Sequence, residues 1–267
     1  MEGTGETALF VKAVWSVFLV LGLAIVAERA NTRIAGIISG APLSILLIYV
    51  FVGIELGTAH IVESIPHSIA AFTATLAFVL GYYWASVRLR AFASVGSAAV
   101  GLAAYLAVAA VLVQFDFSLA GALVLTVATL LMGSWKLRRV PVMPVERAVR
   151  YTPKLIVLRG ISAAALVVAV ILVAEATGPR WTGLMTGFPS TILPTLLILH
   201  STYGPAPPQA LLRNFPLAMG SILIFVLCVR LAYPTVGVLP GTALALVPAM
   251  LYLGALAVWP GTRATSR

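Results

Sequence analysis

Charge is what this chain has least of. Only 9% of its 267 residues are Asp, Glu, Lys or Arg, against roughly 25% in soluble domains. Apolar residues make up 61%, and the mean hydropathy is +1.07. Folding in water leaves part of even a large domain's surface exposed, so a soluble fold has no way to hide this much apolar side chain. That excludes a water-soluble enzyme, a DNA-binding module and a disordered tail. Cysteine is nearly absent as well. Cys228 alone excludes an intrachain disulfide, a secreted disulfide scaffold and any cysteine-based metal site. Its place inside an apolar run marks it as a small core residue. The sequence also lacks HExxH, GxSxG, a Walker loop and CxxC, so neither an enzyme nor a cofactor is expected.

What the chain has instead is long apolar runs without the alternation of a membrane barrel. The solvent is a lipid bilayer and the fold is all-α. Nine segments reach spanning length: 9–27, 34–53, 67–86, 92–113, 117–135, 156–174, 181–199, 215–233 and 236–259. The first reads as a retained span, because its leader carries Glu2 and Glu6 rather than a basic cluster. Trp15, Trp84, Trp135, Trp181 and Trp259 fall near span ends, as an interfacial belt requires.

The 17 basic residues outnumber the 8 acidic ones. With the N-terminus on one side, the opposite side collects Arg29, Arg33, Arg88, Arg90, Lys136, Arg138, Arg139, Arg147, Arg150, Lys154, Arg213, Arg263 and Arg267. The N-terminal side receives only Lys12, Arg180 and Arg230, while Arg159 starts a span. The asymmetry predicts an inner-membrane protein with its N-terminus outside and its C-terminus cytoplasmic. The basic residues do not interleave with aromatics on one face, so nucleic acid is not an expected partner. The Pro-containing basic segment 136–154 is the main cytoplasmic loop, and anionic lipid is its alternative role.

The most informative feature is a repeat at an offset of 147 residues. Residues 26–46 align without a gap on 173–193. The pairs Val26/Val173, Ala27/Ala174, Glu28/Glu175, Arg33/Arg180, Gly36/Gly183, Gly40/Gly187, Pro42/Pro189, Ile45/Ile192 and Leu46/Leu193 are identical, nine of 21. Ser39/Thr186 and Ser44/Thr191 keep a hydroxyl. Further on, Pro66 lies near Pro216 and Gly96 near Gly241 once small gaps are allowed. The chain thus divides into a first four-span repeat (1–116), a linking span with the basic loop (117–154) and a second four-span repeat (155–267). The odd span between them predicts that the second repeat is inverted, the arrangement of many secondary transporters.

Within each copy lies Gly-x-x-x-Gly-x-Pro. Proline lacks an N–H and clashes with the preceding turn, and glycine tolerates irregular backbone. A break inside the second and seventh spans is therefore expected, with Pro42 and Pro189 starting half-helices. Their positive ends attract an anion or carboxylate. Candidate substrate contacts are Ser39, Gly40, Pro42, Ser44, Thr186, Gly187, Pro189, Ser190 and Thr191. Glu28 and Glu175 are candidates for proton or sodium coupling, and Arg33 and Arg180 for gating or charge pairing. The competing readings are a small-residue packing face for the glycines and a local Glu–Arg cap for the charges.

His60, Glu63 and His67 fall at i, i+3, i+7 in the second outer connection and share one helical face. With no Cys or third His nearby, the expectation is a solvated amphipathic helix rather than a metal site. His200 is either a proton-coupling group or a helix-end cap. Gly204–Pro208 reads as a stiff loop.

Each repeat resembles the GlpM-like family of small bacterial inner-membrane proteins, which are about one repeat long. The resemblance rests on Ala35, Gly36, Pro42 and Glu55, and in the second repeat on Gly183 and Pro189, without the acidic residue. It implies an ancestral four-span unit that was duplicated and fused through the extra span. The expected function is transport of a small solute, leaning toward an anion or carboxylate. The alternatives are a non-transporting scaffold or regulatory subunit and a channel. The lipid bilayer and the solute are the expected partners, and a homo-oligomer is compatible with the sequence.

Overall fold

The structure, a computed structural model, describes residues 42–140, 177–190 and 192–258. The expected spans at 9–27 and 156–174 lie outside these residues, as do Glu28, Arg33, Ser39, Gly40, Glu175 and Thr191. The described residues form helices, with no strand among them. In chain order these are α1 (Leu43–Leu56), α2 (Thr58–Arg88), α3 (Ala93–Leu112), α4 (Leu119–Leu137), α5 (Pro179–Thr186), α6 (Ile192–Tyr203), α7 (Ala206–Val236) and α8 (Val238–Val258). Five of them, α2, α3, α4, α7 and α8, are long and apolar enough to cross a bilayer. This is a helical membrane protein. Val124 and Leu131 on α4 and Leu244 and Leu251 on α8 stay exposed, which suits a helix that is apolar all round and faces lipid.

The helix lengths recur. A short helix, a long helix and a medium helix of 14, 31 and 20 residues are followed later by 12, 31 and 21. The joint between short and long helix is glycine both times. Gly57 has φ 88° and Gly204 has φ 80°, a left-handed conformation that a Cβ disfavours. The two stand 147 positions apart.

The packing is reciprocal too. The short helix α1 packs on α8, the last helix of the later set, and the short helix α6 packs on α3, the last of the earlier set. The long helices α2 and α7 pack on each other, and α4 lies against both. The buried apolar residues accordingly form two clusters. One gathers around α1 with α7 and α8, through Tyr49, Val52, Phe225 and Val229. The other gathers around α6 with α2 and α3, through Phe78, Tyr82, Ile192 and Leu196.

Several sequence expectations change here. The third and eighth spans run longer than 67–86 and 215–233, because helix begins at Thr58 and at Ala206. Pro66 is accommodated inside α2. The stiff loop at Gly204–Pro208 is mostly helix start, since proline fits a first turn whose N–H groups lack helical partners anyway. The His60–His67 face is only partly solvated, with Glu63 exposed and the histidines engaged. His67 is buried and its Nε2 donates to the Phe115 carbonyl at 3.2 Å, while His60 Nε2 lies 2.9 Å from Thr182 Oγ1. His200 does not act as an end cap. It is buried with Nδ1 3.0 Å from the Tyr82 hydroxyl.

Trp84 and Trp135 are exposed at helix ends, each under a guanidinium. Arg88 lies 4.5 Å from the Trp84 ring centre and Arg139 lies 4.4 Å from that of Trp135. Such amphipathic pairs suit a membrane–water boundary.

Candidate functional site

The seventh expected span is broken. α5 ends at Thr186, residues Gly187 to Ser190 are non-helical, and α6 starts at Ile192. Pro189 has no N–H to continue α5, so the chain closes with short turns, Gly187 N–H to the Leu184 carbonyl and Phe188 N–H to that of Met185. Restarting then costs little, because the Pro189 carbonyl accepts the Leu193 N–H at 2.9 Å. The other copy starts in the same way. The Pro42 carbonyl accepts the Leu46 N–H at 2.8 Å, and α1 begins at Leu43. Both pairs are identities of the repeat. At 1.5 Å per residue, α1 and α6 are about 21 and 18 Å long, short of a bilayer's hydrocarbon core of about 30 Å.

These two helix starts meet. Pro42, Ser44 and Ile45 from one copy and Thr186, Gly187, Pro189 and Ile192 from the other line a single cavity of about 50 Å³. The Ser190 hydroxyl, next to the lining residue Pro189, donates to Ser44 Oγ at 3.1 Å and ties the two copies together. The first-turn N–H groups of a helix have no carbonyl within that helix and point out of its N-terminal end. Both ends therefore aim partial positive charge at the cavity. Phe72 and Thr75 of α2 and Met219 of α7 complete the wall. Thr75 and Met219 lie near the midpoints of their 31-residue helices, so the cavity sits at mid-depth of the long helices.

The glycines do a different job from the one expected. Gly187 has φ −79°, an ordinary backbone. Space is what it supplies. A Cβ there would sit 2.6 Å from Ala71 Cβ and 2.9 Å from the Ala71 carbonyl. At Gly183 a Cβ would collide with the Ser64 carbonyl and with His67 Cβ at 2.7 Å. Facing them, α2 presents Ser64, Ser68, Ala71 and Thr75, all buried and spaced 4, 3 and 4 residues apart. That row of small residues lets α5 lie directly on the α2 backbone. In the described copy, then, the two glycines belong to the packing reading and the proline to the break.

Polar tethers fix α5 further. The Thr75 hydroxyl donates to the Gly187 carbonyl at 2.6 Å, and the Tyr105 hydroxyl donates to the Leu184 carbonyl at 2.7 Å. Thr186 donates to the Gly183 carbonyl at 2.6 Å. The Tyr105 ring stands edge-on to Phe188, 5.5 Å between centres.

Arg180 is not at this cavity. It sits in the first turn of α5, about 10 Å up the helix from Gly187, and forms an ion pair with Asp116. The pair borders a second cavity of about 680 Å³, lined also by Glu63, His67, Thr177 and Arg230. Among the described residues no group of three or more His, Cys, Asp or Glu side chains is placed to hold a metal ion.

Sequence reasoning overlooked Thr75, Tyr105 and Asp116. Thr75 had a signal, since it closes the 4-3-4 row of small residues. Tyr105 had one too, because Tyr252 follows it at the same offset of 147. Asp116 had none. It lies in the connection that enters the unrepeated α4, and only folding brings it to Arg180. No protein-family model, curated protein or solved structure matches this chain.

Proposed function

We propose that the chain is a secondary transporter of a small solute, built as two inverted four-span repeats around the cavity at the paired breaks. One observation carries this reading: two copies of one motif, 147 residues apart in sequence, start two half-helices that line the same cavity. A break in mid-membrane backbone is tolerated only where protein or a polar cavity takes up its hydrogen bonds, and paired breaks at a repeat interface are where transporters bind. The recurring helix lengths, the glycine joints and the exchanged packing of α1 and α6 support a duplicated unit.

The solute is small and anionic. A water-sized group needs about 10–15 Å³ of such volume, so the cavity has room for a solute of roughly three to five non-hydrogen atoms. Two helix N-termini and the Ser44 hydroxyl, which accepts from Ser190 and keeps its own proton, offer partial positive charge and a hydrogen-bond donor, which suits a carboxylate or small oxyanion. Glu28, Glu175 and Arg33 remain candidates for coupling and gating. In the proposed topology the N-terminus is outside, the C-terminus is cytoplasmic, and the Arg180 end of the bundle faces outward.

The reading is tested in proteoliposomes with radiolabelled formate, acetate and nitrate. Saturable uptake that is accelerated by unlabelled anion on the far side is the expected result, with Pro189→Ala and Ser44→Ala/Ser190→Ala impaired. Uptake that never saturates would replace the transporter with a channel. No flux of any tested solute, with the Pro189 and Ser44 variants indistinguishable from wild type in binding, would leave the scaffold reading.

A further inference from the structure

Two of the three basic residues that violate the charge asymmetry of the chain, Arg180 and Arg230, line the same 680 Å³ cavity. Topology asks for neither of them. Arg180 is also misplaced on its own helix, because a cation in the first turn of α5 opposes the helix dipole. Arg230 stands six residues from the C-terminal end of α7 and borders the same solvent-reached cavity, where a long cationic side chain is tolerated. It is half-buried and donates to the Val62 carbonyl at 3.4 Å. Two guanidiniums kept at one cavity against the charge asymmetry, one of them also against a helix dipole, point to an anion that balances them. In the structure Arg180 has Asp116, but this carboxylate is a loosely held partner. Its side chain is 78% exposed and that of Arg180 49%, so the pair is solvent-screened. Asp116 comes from the short connection between α3 and α4, not from a packed helix.

We propose that this cavity is an outer recognition site for a monoanion, held by Arg230 and Arg180, and that Asp116 is a built-in competitor which the anion displaces. The inference rests on the transport reading and names the first binding step of that pathway. The volume, about 680 Å³, admits a small anion together with its hydration water. A guanidinium fork suits a carboxylate or a planar oxyanion. Charge sets the valence. Arg180 and Arg230 are balanced by Asp116 and Glu63, so a monoanion that takes the place of Asp116 leaves Arg180 paired, whereas a dianion adds unbalanced negative charge beside Glu63. Displacement also removes the ion pair from the end of α5, the helix whose other end forms the wall of the break cavity.

The test is equilibrium titration of the purified full-length protein with sodium formate and with sodium sulfate. Arg180→Gln and Arg230→Gln are expected to weaken formate binding at least about tenfold, the value of a charged hydrogen bond. Asp116→Asn is expected to tighten it about two- to fivefold, the strength of an exposed ion pair. Formate is expected to bind more tightly than sulfate. Arg88→Gln, at the opposite end of α2, serves as the control for general charge screening and is expected to change nothing. A purely structural ion pair predicts the reverse for Asp116→Asn, a less stable protein with unchanged or weaker binding, and that result overturns the proposal. So does formate affinity that survives Arg230→Gln, and so does tighter binding of sulfate. Repeating the titration in nanodiscs separates the sources of the anion. Loss of formate binding when phosphatidylglycerol is added to a zwitterionic bilayer would assign the cavity to a lipid headgroup and overturn it as well. Flux assays on the same variants separate this inference from the reading beneath it. The expected binding pattern without flux sinks transport alone, and saturable flux with unaltered binding in every variant sinks the outer site alone.

Discussion

The two cavities sit at opposite ends of one two-turn helix and are built from opposite materials. At the Gly187 end the walls are prolines, aromatic and aliphatic side chains and hydroxyls, and the space is about 50 Å³. At the Arg180 end the walls carry guanidiniums and carboxylates, and the space is about 680 Å³. The first is lined by helix starts and hydroxyls and, among the described residues, by no charged side chain. The second uses full charges where solvent reaches them. Both features are attached to α5, so a solute that alters one end of this helix acts on an element that also lines the other.

Substitutions that loosen α5 should damage the small cavity first. The largest effect is expected for Gly183→Val. The α2 backbone already fills the place of its Cβ, and forcing the helices apart should cost about 3 kcal/mol, the upper end for overpacking. Early melting and aggregation in size-exclusion chromatography would show it; a variant that melts like wild type would mean that α5 does not pack on α2 as described. Next comes Thr75→Val, which leaves the Gly187 carbonyl without its 2.6 Å donor in apolar surroundings. A loss of about 1–3 kcal/mol is expected, largely recovered by Thr75→Ser. Equal losses for Val and Ser would point to packing rather than to the hydrogen bond. Third, a double-mutant cycle on Ser44→Ala and Ser190→Ala should give a coupling of about 0.5–1 kcal/mol. Additive effects would mean that the two copies do not touch through these hydroxyls. The smallest change in stability is expected at the large cavity. Asp116→Asn should shift the thermal midpoint by no more than about 1 kcal/mol corresponds to, although it alters anion affinity. A large destabilisation there would make the Arg180–Asp116 pair a structural strut and erase the contrast between the two ends.

Much of this arrangement was readable in the residues. Pro42 and Pro189 announced two helix starts because a residue without an N–H cannot continue a helix. Leu46 and Leu193 marked the matching first bonds. The glycines were visible but misjudged. A Gly-x-Pro sequence suggests irregular backbone, while Gly187 in fact keeps an ordinary φ and is small because Ala71 lies against it. Nothing local distinguishes those two uses. His60 and His67 likewise read as a surface face, because they share a helical face with Glu63, while their neighbours in space, Thr182 and Phe115, lie 122 and 48 residues away.

By itself the sequence determined the solvent, the helical class, the motif repeat and the points where helices must start. Each follows from a property of single residues or short runs: apolar length, a missing N–H, charge counted along the chain. Only the tertiary structure decided that the two motif copies share one cavity, that α5 is clamped to α2 through a row of small residues, and that Arg180 finds Asp116. Those are contacts between distant segments, and they depend on shape and on which faces remain to be buried once the helices have formed.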